Sequence, residues 1–96
     1  MANYKLSEVA AEDIAQIFEF GIDTFGLNAA SNYIEGMTVR LQQLAEYPLQ
    51  YQAVDDIREG YRRSVYRSHA IYYRIGENCI NIMRILRNQN LESSFD

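Results

Sequence analysis

The chain has one cysteine, Cys79, so an internal disulfide is excluded and a protein-only zinc site lacks its usual thiolates. It also has one proline (Pro48), one histidine (His69), one lysine (Lys5) and no tryptophan. With so little proline and only five glycines, no linker-like or low-complexity tract interrupts it, and no internal repeat is visible. No apolar run approaches the ~18 residues of a membrane span. The N-terminal "MANYKLSEVAAED" lacks the charged segment and apolar run of a secretory signal. These absences lead us to expect a soluble, cytoplasmic protein without a membrane partner. Glycine-rich phosphate loops, G-x-S-x-G, H-E-x-x-H and cysteine–histidine ligand pairs are missing too, so no metal, cofactor or catalytic residue is expected.

What is present suits one globular domain over residues 1–96. The composition is 48% hydrophobic and 23% charged, and a chain of this size buries about 60–65% of its unfolded surface. The charge is unevenly placed. Net charge is -4, yet residues 1–57 carry Lys5 and Arg40 against nine acidic residues, and residues 58–96 carry seven arginines against four. Five of the eight arginines fall within "IREGYRRSVYRSHAIYYR". Such asymmetry points to an anionic partner for the basic half, or to attraction between the halves.

The hydrophobic periods place the elements. "YKLSEV" alternates as a short strand does. From Ala10, the residues Ile14, Ile17, Phe18, Gly21, Ile22 and Phe25 share one side of a helix, with Gly26 as its C-terminal cap. Asn28 is the expected cap of a second helix, whose stripe is Ala30, Ile34, Met37, Leu41 and Leu44 and which stops at Pro48. The segment after Pro48 reads as a loop up to Gly60. β-Branched and aromatic residues then predict strands at Tyr61–Tyr66, His69–Ile75 and residues 79–87. The last, "CINIMRIL", is apolar on both parities, as in a strand covered on two faces. The fold class is therefore α+β: an N-terminal strand and an α-helical hairpin packed on one face of a small, mainly antiparallel sheet.

One hairpin covers one sheet face. The other face is expected to show residues such as Tyr72 or Tyr73, and Cys79, Met83 and Ile85 or their opposites, while Phe20 and Val39 point away from their helix stripes. That surplus of apolar surface predicts a partner that completes the fold. Arg62, Arg63, Arg67, Arg74, Arg84 and Arg87 are the candidate ligand contacts, since guanidinium binds phosphate and carboxylate bidentately and stacks on tyrosine. Their alternation along the strands prevents all six from facing one way. His69 and Cys79 are expected to be structural.

In this order and spacing, "AAEDIAQIFEF", "FGLNAASNYI", "LAEYP", "IREGYRR", "SHAIYYRI" and "INIMRIL" resemble the ParE toxins of the RelE/ParE superfamily over nearly the whole chain. The resemblance implies a type II toxin that poisons DNA gyrase and is neutralised in a hetero-oligomer by a ParD-like antitoxin. Phe20, Val39, Tyr66, Tyr72 and Met83 would meet the antitoxin, and the six arginines would meet gyrase, with or without DNA. RelE-type relatives instead cut messenger RNA on the ribosome. That chemistry needs proton-transfer groups, and here the lysine is Lys5 and no Tyr or His follows Ile75. Many ParE sequences have a histidine after "RIL" where this chain has Arg87, and "NQNLESSFD" departs from the family's usual C-terminal segment. A non-toxic antitoxin-binding module is the remaining alternative.

Overall fold

The computed structural model describes residues 3–87. Seven elements follow one another: β1 (Tyr4–Leu6), α1 (Glu8–Phe25), α2 (Leu27–Glu46), β2 (Gln52–Ala53), β3 (Tyr61–Tyr66), β4 (His69–Ile75) and β5 (Ile80–Arg87). The strands form one sheet ordered β1-β5-β4-β3-β2. β1 runs parallel to β5, and the other neighbours are antiparallel. The hairpin of α1 and α2 packs on one face of this mixed sheet, as the hydrophobic periods require. The "NQNLESSFD" stretch lies outside the described residues.

Local chemistry sets the helix boundaries. α1 begins before its apolar period because the Ser7 Oγ accepts from the Ala10 N–H at 2.9 Å, an N-cap that satisfies an otherwise orphaned donor. The hairpin turns on one residue. Gly26 (φ 95°, ψ 164°) donates to the Ile22 carbonyl, and its own carbonyl accepts from Ala30. That backbone region is essentially open to glycine alone, so Gly26, and not Asn28, precedes α2. The α2 stripe buries Met37, Leu41 and Leu44 against Ile71, Tyr73, Ile80, Ile82 and Ile85 of the sheet, while Ala30 packs against Gly21 of α1.

Two expectations are corrected. The segment after Pro48 is not a bare loop: β2 pairs with Arg62 and Arg63, and the following turn folds Val54 over the far side of the sheet. The Val54 N–H donates to the Tyr61 carbonyl, while its own carbonyl accepts from Ile57 and Arg58. Val54, Ala70 and Tyr72 form a second core with Ile57, Tyr61 and Leu86 against it. The sheet face expected to lie open is covered there, and Tyr72 is only 1% exposed.

The double parity of β5 also has a different cause. Tyr72 pairs with Arg84 and Tyr73 with Ile82, so Met83 is an extra residue, a β-bulge. The bulge switches which parity faces the helices. Ile80 and Ile82 before it and Ile85 after it all reach the same core.

Candidate functional site

β1 pairs only with Ile80, Asn81 and Ile82, so the next part of β5's outer edge meets α1 instead of a strand. Two side chains of the first helical segment satisfy it. The Ser7 Oγ donates to the Met83 carbonyl at 3.0 Å. Asp13 is buried, and its Oδ2 accepts from the Ile85 N–H at 3.0 Å and from the Arg84 Nε at 2.9 Å; its Oδ1 accepts from the Arg84 Nη2 at 3.2 Å. The carboxylate also reinforces the protonated state of Arg84.

Beyond this anchor α1 and the sheet diverge, leaving an open groove of about 880 Å³. Ile17, Phe20 and Phe25 of α1 and Tyr33 of α2 face the end of β5 and the β3–β4 turn across it. Arg67, Arg84 and Arg87 line it, and Asp13 is its one carboxylate among the described residues. The groove is therefore basic in a protein of net charge -4. The Arg67 guanidinium lies 5.8 Å from the Tyr66 ring centroid and that of Arg87 6.0 Å from Phe20. A guanidinium laid on a ring keeps its N–H edge for an anion.

A polar cluster ties α2 to the β3–β4 turn at the groove mouth. The Tyr33 hydroxyl lies 2.7 Å from the His69 Nδ1 and accepts from the Ser68 N–H at 3.2 Å. A phenol has one proton, and the Tyr66 carbonyl is 3.5 Å away, so the short contact makes Tyr33 the donor to a neutral His69. Burial, then the nearby Arg87 charge, lowers the His69 pKa. Burial raises that of Tyr33. Arg67 holds the turn with a positive φ of 50°, an unfavourable conformation for a side-chain-bearing residue.

The sequence-predicted residues separate into groups. Phe20, Tyr66, Arg67, Arg84 and Arg87 come together at the groove. Arg62 is turned to the backbone, donating to the Tyr51 carbonyl at 2.6 Å. Arg63 is the cross-strand partner of Tyr72, and Arg74 lies two positions beyond Tyr72 on β4; both belong to the face of the second core. Val39 is exposed on α2 outside the groove lining. Met83 is half-buried at the bulge, and buried Tyr72 offers almost no surface to a partner.

Three contributors escaped the sequence reading. Asp13 and Tyr33 each carry a polar group on the core-facing side of a helix, one turn from Ile17 and Met37 respectively, and that placement is itself the signal of a buried partner. Arg40 gave no such signal. Its Nη1 donates to the Ser64 Oγ and the Val65 carbonyl, both at 2.9 Å, fastening α2 to β3. Among the described residues, no group of three His, Cys, Asp or Glu side chains is placed to hold a metal, and no helix is long and apolar enough to cross a membrane.

A helical hairpin on a five-stranded mixed sheet, here with a basic, aromatic groove at the seam, is the RelE/ParE-like fold. Residues 4–91 match the family model described as the ParE toxin of the type II toxin–antitoxin system parDE. Toxin ParE1 of Caulobacter vibrioides is 31% identical over 86 residues, 90% of this chain and 88% of that protein. Toxin ParE1 of Mycobacterium tuberculosis is 30% identical over 89 residues, 92% and 91% of the two chains. A chain from a chromosomal ParDE system of P. aeruginosa superposes with a TM-score of 0.81 at 20% identity, covering 93% of this chain and 98% of that one. A conserved hypothetical protein from Helicobacter pylori superposes with a TM-score of 0.60 at 16% identity, covering 95% and 99%. The chain belongs to the ParE toxin family of type II toxin–antitoxin systems.

Proposed function

We propose that this ParE-family toxin acts in the cytoplasm by binding and poisoning DNA gyrase, and that a ParD-like antitoxin silences it by direct attachment in a hetero-oligomer. The observation carrying the binding part is the groove itself: three guanidiniums beside an aromatic and aliphatic wall, opposite in sign to the rest of the molecule. Such a surface suits an amphipathic segment with apolar anchors and flanking carboxylates. An antitoxin segment would seat against Phe20 and Tyr66 and pair with Arg67, Arg84 and Arg87. Arg63 and Arg74, on the opposite sheet face, remain for the target. The gyrase assignment is supported by membership in the ParE family.

Activity by binding also fits the side-chain chemistry. Arginine stays protonated and serves poorly for proton transfer, and His69 is engaged through its Nδ1. Purified toxin should inhibit supercoiling by gyrase and accumulate cleaved DNA complexes, and the cognate antitoxin should restore supercoiling. Unchanged supercoiling at high toxin excess would reject gyrase as the target. Site-specific cuts in ribosome-bound message, read by primer extension, would replace this reading with the nuclease one. Induced expression without harm to growth would favour a non-toxic binding module.

A further inference from the structure

The groove contains the chain's one histidine, and α1, α2, the β3–β4 turn and β5 line it around that ring. His69 stands opposite Arg87 across the β4–β5 ladder. α2 supplies Tyr33, whose hydroxyl meets Nδ1 at 2.7 Å and whose ring stands edge-on to the imidazole, with centroids 5.5 Å apart. Tyr66 ends β3, Arg67 occupies the turn, and Arg84 lies on β5. From α1 comes Asp13, whose carboxylate is already engaged by Arg84 and the Ile85 N–H. An imidazolium here would therefore join the Arg67 and Arg87 guanidiniums, since the Asp13 carboxylate is paired with Arg84 and is the one carboxylate among the described lining residues.

We infer that seating an anionic partner segment in this groove is coupled to uptake of a proton by His69. This rests on the reading of the groove as the seat of an acidic antitoxin segment. Burial and then the Arg87 charge now oppose a charge on the ring, and a carboxylate seated on Arg87 both cancels that charge and gives the imidazolium an anionic neighbour. The Tyr33 contact accommodates the change by reversing polarity. The protonated Nδ1 donates to the phenolic oxygen, and the phenolic proton turns to the Tyr66 carbonyl, 3.5 Å away. By linkage, the complex then tightens as pH falls through the interval between the free and bound His69 midpoints. A partner that covered the ring with apolar groups would have the opposite effect and expel a proton.

The test uses toxin without a histidine tag, isotopically labelled, and full-length unlabelled antitoxin. The labelled sample then has one imidazole signal in both states. Its titration midpoint should rise by about one unit in the complex. Binding heats at pH 7 in buffers of low and high ionisation enthalpy should show net proton uptake, and His69→Gln should remove it. A midpoint that is unchanged or lowered in the complex overturns the inference, as does equal uptake by the variant. The signal of the unsubstituted toxin decides the matter even if His69→Gln fails to fold. Failure to form any complex would instead overturn the antitoxin reading of the groove.

Discussion

Asp13 is the residue on which the seam between α1 and β5 depends. Its carboxylate accepts a backbone donor and two guanidinium donors from a buried position, and hydrogen bonds to charged groups contribute about 1.5–3 kcal/mol each. Asp13→Ala should cost at least about 3 kcal/mol, because it leaves Ile85 and Arg84 unpaired. Arg84→Ala should cost about 1 kcal/mol, since the Arg84 side chain is 45% exposed and Ile85 still partners the carboxylate. Urea unfolding of both variants checks the order. Arg67 presents the opposite balance. Arg67→Gly should stabilise by about 1 kcal/mol by relieving a left-handed backbone, while weakening occupancy of the groove. For His69 the folded pKa lies below the unfolded value near 6.5. The unfolded chain thus binds the proton more readily, so this group's contribution is intact above about pH 6.5 and declines as pH falls toward the folded pKa. His69→Gln should flatten that part of the stability–pH curve.

Among the elements, the hairpin rests on Gly26, whose backbone excludes other residues. Gly26→Ala should lower stability by about 1–3 kcal/mol, seen as a reduced thermal midpoint. The 4-3-4-3 stripe of α2 was legible because a helix repeats its contacts every turn, and the final hairpin because Gly76 and Asn78 mark its turn. β2 was not legible: two residues are too few for a period, and Gln52 and Ala53 have no strong strand preference. The second core was missed for the same reason, since Ala53, Val54 and Ile57 are too few and too unevenly spaced to show a period. The bulge at Met83 shows in sequence only as apolar residues on both parities of β5, a pattern that two-sided burial also produces. The candidate site was half legible. Arginine and aromatic identities pointed to anion binding, but whether Arg84 would meet Asp13 depended on a crossing between residues 71 positions apart.

At the scale of the molecule, the arginines do not form one nucleic-acid cleft. Arg67, Arg84 and Arg87 line the groove, Arg63 and Arg74 lie on the opposite sheet face, and Arg40 and Arg62 bond within the fold, so the proposed roles divide with their places. The central claim is that the groove seats the antitoxin. Its most direct measurement is calorimetric titration of the cognate antitoxin into two charge-reversed toxins, Arg67→Glu with Arg87→Glu, and Arg63→Glu with Arg74→Glu. Groove reversal should weaken binding at least about thirtyfold, as loss of desolvated charge pairs does. The opposite-face pair should stay within about threefold. Binding that survives groove reversal within threefold, or is lost only with the opposite-face pair, would contradict the account.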